Sequence, residues 1–437
     1  MKRALFLSVI GLSTLYMVPG CGADESGDFG SGGDVYADVP GGTTGPGGVT
    51  GDGSMGGEMD PNGSNGAAGT LTAADWDDNL NFDLYQTYLN DYLQGDQAPF
   101  IHSEDRIVIT VEDAQGEGLP NAKVEVSGSA GKFLSIPTAT DGRALFFPQH
   151  DGAAQEQELT VTVSPPPGQS GVQPVTLTLP VSQKEWLIPL PGATRELPAA
   201  LDLAFVVDAT GSMGDEIQYL KAEIDGIAND VKGTFANADV RYALIVYRDN
   251  GDEYVTRTFE FTSDLAQFKV NLNNQSAGGG GDTPEAMDAA MADMVSLQWR
   301  TGNAARLAFL VADAPTQPNG REPFLSHANA ARLAGIKVYP VAASGVSPDA
   351  EFQMRNAAQA TLGRYLFLTD DSGVGGTHAE PHIPCYQVQH LNTLINRMIA
   401  SELQGERIPA SSNDIVRSVG NPTDGVCTLG DGTKAYL

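Results

Sequence analysis

From residue 200 onward, unbroken apolar runs alternate with amphipathic patterns, and this alternation restricts the fold more than any other feature of the sequence. The runs at 203–207 and 307–311 contain no polar residue, as expected for parallel strands that are buried on both faces. Helical spacing of apolar residues follows the first run, at Ile217, Leu220, Ile224, Ile227 and Val231. We therefore predict a doubly wound α/β sheet over residues 200–405.

The same alternation continues along this part of the chain. Further strands are predicted at 241–247, 254–261, 337–342 and 365–368. Further helices are predicted at 284–299, 325–333, 350–360 and 390–403.

Acidic residues follow several of the predicted strands. Because doubly wound sheets bind ligands at the carboxyl ends of their strands, we expect these acids to open onto one edge. Carboxylates gathered there would repel one another, whereas oxygen ligands that converge from separate loops suit Mg²⁺ or Ca²⁺. The acids are Asp208, Asp249 and Asp313 at strand ends, and Asp282 and Glu285 in a glycine-rich loop before a helix.

Hydroxyl groups accompany the first of these acids. Thr210 and Ser212 stand at alternate positions after Asp208, and a loop tip points alternate positions towards one centre. The neutral oxygens of these side chains would add to the carboxylate ligands of a metal ion.

This pattern resembles the metal-ion-dependent adhesion site of von Willebrand factor A (VWA) domains. The resemblance rests on Asp-x-Thr-x-Ser at 208–212, the acid-bearing glycine-rich loop and Val-Ala-Asp-Ala at 311–314, and it covers residues 203–401. It implies a Rossmann-like VWA domain that binds a protein partner without turnover. An Asp or Glu of that partner would complete the coordination of the ion, which is Mg²⁺ or else Ca²⁺ or Mn²⁺. The implied ligands are Asp208, Thr210, Ser212, Glu285 and Asp313.

The loop Gly-Gly-Asp-Thr-Pro-Glu at 280–285 indicates which subtype of VWA domain the sequence resembles. It is similar to the loops of hemicentin-like VWA domains and of integrin β-subunit I-like domains. That match implies that Glu285 takes the primary ion, directly or through water. Adjacent ions would use Asp249 and Asp282 on one side and Asp215 and Glu216 on the other, although Gly280 replaces an asparagine ligand of the integrin loop.

The first residues favour export and a lipid anchor. Lys2 and Arg3 precede an apolar stretch, which predicts a signal peptide over 1–20. Cys21 after a small residue resembles the lipobox of bacterial lipoproteins, although Pro19 is unusual there. We therefore expect lipidation of Cys21, a membrane contact through that lipid, and a location in the bacterial cell envelope, at the outer membrane or cell surface.

The acidic charge is concentrated near the N-terminus. The chain has 55 acidic and 25 basic residues, a net charge of −30, and 16 acids but no Lys or Arg stand between positions 4 and 105. Nucleic acid is therefore excluded as a partner, because it requires clustered cations. The glycine-rich segment 21–70 is predicted to be a disordered linker.

The middle of the chain has two further patterns. Residues 71–100 predict one short amphipathic helix, and alternating runs over 101–195 predict an antiparallel β-sandwich. Turn-rich pieces at 112–122 and 138–146 resemble the carboxypeptidase-regulatory-like, or CnaB-type, module, which implies a structural spacer.

The C-terminal tail, 406–437, and residues before it raise two alternatives. Cys385 and Cys427 either form a disulfide or remain free thiols. His378, His382 and His390 with Cys385 carry ligands that zinc uses, although glycines and prolines place them on a loop.

For the acidic site around Asp208, two other functions stay open. The chain could be a structural envelope protein whose metal holds the loops together, or a metal-dependent hydrolase.

Overall fold

The structure is a computed structural model and describes residues 67–214, 216–281, 283–374, 378 and 381–437. The predicted signal segment 1–20, Cys21 and nearly all of the predicted linker lie outside these residues, so those assignments remain predictions. None of the helices within the described ranges has the length and apolar character needed to cross a membrane.

Strands and helices alternate over most of the described chain. The strands are β1 (Thr72–Trp76), β2 (Ile107–Glu112), β3 (Lys123–Gly128), β4 (Gly131–Pro137), β5 (Arg143–Phe146), β6 (Glu158–Ser164), β7 (Val175–Pro180), β8 (Glu185–Pro189), β9 (Ala200–Asp208), β10 (Asp239–Tyr247), β11 (Thr256–Thr262), β12 (Ala304–Ala312), β13 (Lys337–Ala342), β14 (Tyr365–Thr369), β15 (Tyr386–His390), β16 (Arg417–Val419), β17 (Val426–Thr428) and β18 (Lys434–Tyr436). The helices are α1 (Phe82–Gly95), α2 (Ile217–Thr234), α3 (Leu265–Asn273), α4 (Met287–Ser296), α5 (Arg321–Leu333), α6 (Pro348–Ala360) and α7 (Leu391–Gln404).

A central sheet has the strand order β11-β10-β9-β12-β13-β14-β1-β15-β16. Strands β10, β9, β12, β13 and β14 are mutually parallel, so their carboxyl ends share one edge, here named the carboxyl edge; the opposite edge is the amino edge. Apolar clusters cover both faces of the sheet, and every residue of β12 is buried. The doubly wound α/β prediction is therefore confirmed.

Strand β1 was not expected from the sequence, because residues 71–100 predict only a helix. It lies between β14 and β15 and is antiparallel to both, with Thr72 opposite Thr369 and His390. Its sequence, Thr-Ala-Ala-Asp-Trp, is short and lacks a clear apolar alternation. The backbone N–H groups of residues 69–71, at the end of the predicted linker, donate to the Glu223 carboxylate of α2.

Residues 107–189 form two sheets that pack face to face. Their orders are β5-β2-β8 and β4-β3-β6-β7, and alternate residues of the strands fill a shared core around Trp186. The predicted sandwich is thus present, with one correction. Strand β8 pairs parallel to β2, so the sandwich is not wholly antiparallel.

This sandwich, the β module, docks on the amino edge of the central sheet. Leu145 and Phe147 of the module belong to the apolar cluster on one face of that sheet. Arg332, at the end of α5, forms a buried ion pair with Asp151, and its Nη1 donates to the Leu145 carbonyl over 2.9 Å. The metal-ligand candidates lie at the opposite edge, because they follow the carboxyl ends of the strands.

The C-terminal tail is bound to the domain covalently. Cys385 and Cys427 form a disulfide, with their Cα atoms 6.2 Å apart. Nearby, α1 packs on the outer side of α6 through an apolar cluster that includes Tyr85, Leu89 and Phe352. The disulfide fixes the segment just before β15, which lies beside this additional helix layer.

Candidate metal centre

The first loop of the site begins where β9 ends. Asp208 is the last residue of this strand and is fully buried between β10 and β12. Its Oδ1 accepts hydrogen bonds from Thr210 N (2.9 Å) and Thr210 Oγ1 (2.7 Å). The hydroxyl oxygens of Thr210 and Ser212 are 3.1 Å apart. The three side chains that the motif placed around one point therefore lie together.

Two more acids lie on the neighbouring loops. Glu285 is 3% exposed, and its loop runs beside 315–316, with its N–H donating to the Pro315 carbonyl over 2.9 Å. Asp313 follows β12 and is 8% exposed. Carboxylates at this depth are uncommon unless a positive charge compensates them.

The electrostatics of the acids show that they crowd one another. Burial, followed by the charge of Asp313, raises the pKa of Asp208 to about 7. Burial, followed by the charges of Asp208, Asp249 and Asp313, raises the pKa of Glu285 to about 8. Such shifts indicate that burial and the neighbouring negative charges both disfavour the ionised form of these acids.

The glycine-rich loop is joined to the Asp208 loop by backbone hydrogen bonds. Gly278 N donates to the Ala209 carbonyl (3.0 Å), and Gly211 N donates to the Gly279 carbonyl (3.1 Å). Gly280 has φ +64°, and a Cβ there would lie 2.8 Å from Glu285 Oε1 and 3.3 Å from Thr210 Cβ. A glycine is thus required where this loop passes over the acids.

Replacing Gly280 by alanine is expected to lower the affinity for Mg²⁺ about tenfold, because the left-handed backbone and the added methyl would shift Glu285. Gly281→Ala is the matched control, since no atom lies within 4 Å of a Cβ at that position. Calorimetric titration of both variants with Mg²⁺ measures the difference. Equal affinities of the two variants would show that the contact over Glu285 is unimportant.

Sequence reasoning missed three residues that hold these loops. Asp252 Oδ2 accepts from Gly280 N (2.8 Å) and Asp249 N (3.0 Å), and these hydrogen bonds lower its pKa. The other two are Arg248, whose guanidinium donates to the carbonyls of Ala209 (3.2 Å) and Ser276 (3.0 Å), and Gln317, whose amide donates to the Pro284 carbonyl (2.7 Å). The position of Arg248 and Asp252 on either side of Asp249 is the only sequence signal that could have indicated two of them.

The residues implied as ligands of adjacent ions have other contacts or lie outside the described residues. Gln317 Nε2 lies 3.4 Å from an oxygen of Asp249, and Asp215 and Asp282 lie outside the described residues. The Glu216 carboxylate contacts Ser344 N (3.2 Å) and His378 Nε2 (3.2 Å). Glu216 therefore links the start of α2 to the loops that follow β13 and β14.

The histidines of the zinc alternative have other contacts. Cys385 lies in the disulfide with Cys427 and so offers no thiolate. His378 Nδ1 contacts Asp370 (2.7 Å), and His382 Nδ1 contacts Glu351 (2.9 Å). The two rings thus bind different carboxylates on different elements, and the side chains of the zinc alternative do not assemble around one point.

The acids at the carboxyl edge fit a divalent cation. Within the described chain, Asp208 Oδ2 and Glu285 Oε2 are buried and accept no hydrogen bond. No three acidic, histidine or cysteine side chains of the described residues are grouped so that they alone could hold an ion. Any ion here would therefore need the Thr210 and Ser212 hydroxyls, or water, as further ligands.

Comparison with known proteins agrees with the fold. The sequence model of the family described as von Willebrand factor A domain matches residues 202–373. The alpha-protein kinase vwkA of Dictyostelium discoideum is 34% identical over 117 residues, which are 26% of this chain and 18% of that protein. The human von Willebrand factor A domain-containing protein 7 is 35% identical over 96 residues, 22% of this chain and 10% of that protein.

Both relatives extend far beyond the matched part, since the chain spans less than a fifth of their length. Among solved structures, BatB from Bacteroides thetaiotaomicron is 15% identical, with a TM-score of 0.35 over 46% of this chain and 98% of that one. The family match coincides with the sheet that carries Asp208, Glu285 and Asp313. The chain is thus a protein that contains a von Willebrand factor A domain.

Proposed function

We propose that the chain is a protein of the bacterial cell envelope that binds a partner protein in a metal-dependent manner. A lipid on Cys21 would anchor it to the membrane. Asp208, Thr210, Ser212, Glu285 and Asp313 would hold the ion. When bound, Mg²⁺ would supply an electrophilic centre able to take a carboxylate oxygen from an Asp or Glu of the partner. The observation that carries this proposal is the burial of Asp208 and Glu285, each with an oxygen that accepts no hydrogen bond within the described chain.

Two features favour partner binding over the alternatives. The loops that carry the acids are already joined by backbone hydrogen bonds between 209–211 and 278–279, so an ion is not required to hold them together. A phosphoester hydrolase would need a cation to hold phosphate. Arg248, a cation beside these loops, donates instead to two backbone carbonyls, which supports binding without turnover.

The test is capture of envelope proteins by the full chain in Mg²⁺ and in EDTA. We expect one or more proteins to be retained in Mg²⁺ and released by EDTA, with the domain still folded by circular dichroism. A partner retained equally under both conditions would contradict metal-dependent binding. Loss of the fold in EDTA would favour a stapling role for the ion.

Metal binding should release protons at pH 6. The raised pKa values of Asp208 (about 7) and Glu285 (about 8) mean that both acids are mostly protonated in the metal-free chain at this pH. A cation must displace those protons, so its apparent affinity should rise up to about pH 8. Titration calorimetry in two buffers of different ionisation enthalpy measures the release, and equal heats at pH 6 would contradict it.

The same shifts fix the pH dependence of stability without metal. An acid with a raised pKa binds more protons in the folded than in the unfolded chain, so its contribution to stability falls as the pH rises. In EDTA, the melting temperature should therefore fall between about pH 4 and 7 relative to Asp208→Asn.

A further inference from the structure

A second candidate binding site lies in the layer that α1 adds outside α6. A cavity of about 330 Å³ opens between α1, α6 and the segment 381–384. Its walls include Tyr88, Tyr92, Pro348 and Pro384, and its lining also includes Asp91 and His382. The volume is that of a pocket for a small group, and none of the metal-ligand candidates lines it.

The aromatic walls of this cavity are held in place. The Tyr92 ring stacks on Phe352 with centroids 4.0 Å apart, and its hydroxyl donates to Asp349 over 2.6 Å. The Tyr88 ring lies 3.7 Å from the guanidinium carbon of Arg355. Rings fixed by such contacts lose little freedom when a ligand binds.

The charge of Arg355 is already compensated. Its guanidinium is buried and bonds to Asp78 (2.7 Å) and Glu351 (3.0 Å), two carboxylates for one cation. Asp91, in contrast, is exposed and forms no ion pair or hydrogen bond through its carboxylate within the described chain. The cavity therefore presents an unneutralised negative charge beside aromatic faces.

Asp91 and the aromatic walls together favour one class of ligand. A cationic group entering the cavity could contact the aromatic faces and approach the Asp91 carboxylate. A neutral or anionic group would lack the attraction of that carboxylate.

We propose that the cavity binds a lysine or arginine side chain presented by a partner protein. The net charge of −30 favours the approach of such a basic partner over the whole surface. Because α6 begins beyond the carboxyl end of β13, the cavity lies towards the same edge as the acidic site, although the proposal does not depend on metal.

The test uses blocked amino acids and the full chain. N-acetyl-arginine amide and N-acetyl-lysine amide are titrated by ligand-observed NMR in EDTA and in Mg²⁺, beside the neutral isostere N-acetyl-citrulline amide. We expect the cations to bind more tightly than citrulline, with or without Mg²⁺. Binding that needs Mg²⁺, or citrulline binding equally well, would overturn the proposal and leave the proposed metal site unaffected.

Variants locate the binding in the cavity. Asp91→Asn should weaken arginine binding about fivefold, because an exposed ion pair contributes a modest free energy. Asp83→Asn is the matched control, since Asp83 is also exposed on α1 but does not line the cavity. Equal effects of the two substitutions would contradict the assignment.

Discussion

Replacing Asp208 by asparagine is expected to abolish the Mg²⁺-dependent stabilisation of the domain and the Mg²⁺-dependent capture of its partner. The Asp208 carboxylate is fully buried at the centre of the predicted ligand set and orders Thr210 through two hydrogen bonds. Loss of a residue that only supports a metal ligand typically lowers affinity 10–100-fold, so loss of this carboxylate should lower it more than about 100-fold.

The measurement is thermal unfolding with MgCl₂ and with EDTA. For the natural chain, Mg²⁺ at a hundredfold excess over Kd should add about 2.7 kcal/mol to the free energy of unfolding. In EDTA, Asp208→Asn should be at least as stable as the natural chain, because a buried carboxylate with a raised pKa has been removed. Asp414→Asn, an exposed acid far along the tail, serves as the control. A full Mg²⁺ response in Asp208→Asn would disprove the assigned site.

Replacing Arg332 by methionine should lower the free energy of unfolding by about 3–5 kcal/mol. Arg332 and Asp151 are both nearly inaccessible to solvent, and they join the α/β domain to the β module. The arginine also donates to the Leu145 carbonyl and lies over the Phe147 ring, 4.8 Å from its centroid. Methionine fills part of the volume but leaves the Asp151 charge buried without its cation.

Urea unfolding measures this difference, and two further variants interpret it. Arg257→Met removes an exposed arginine that pairs with Glu253, so it should change stability by less than about 1 kcal/mol. Arg332→Met combined with Asp151→Asn should recover part of the loss, since no unpaired charge remains. If Arg332→Met is as mild as Arg257→Met, the ion pair does not stabilise the junction between the module and the α/β domain.

The strands buried on both faces were the most predictable part of the fold. The runs at 203–207 and 307–311 have no polar residue, and they lie inside β9 and β12 in the middle of the sheet. The ligand candidates were predictable for a related reason. Residues such as Asp208 and Asp313 stand directly after those runs, and parallel strands bring their carboxyl ends to one edge.

Elements that depend on distant pairing were not predictable. Strand β1 is specified by its partners β14 and β15, which are about three hundred positions away, and its five residues carry no period of their own. Helix α3 was missed as well, within a stretch whose polar and apolar residues alternate irregularly. The support of the glycine-rich loop by Asp252 depends on the turn 249–252, whose geometry the sequence alone does not fix.

The place of β1 in the sheet also has a mechanical consequence. Thr72 pairs with Thr369, so the chain enters the sheet at the carboxyl edge and runs towards the amino edge. A pull on residue 71 along the strand axis would load the five residue pairs with β14 at the same time, together with the bonds to Glu223. Bonds loaded in parallel share the force, so withdrawing β1 requires them to break together. The domain should therefore resist tension applied through its N-terminal side. Peeling the sheet from one end would need less force, because the bonds would then break one after another.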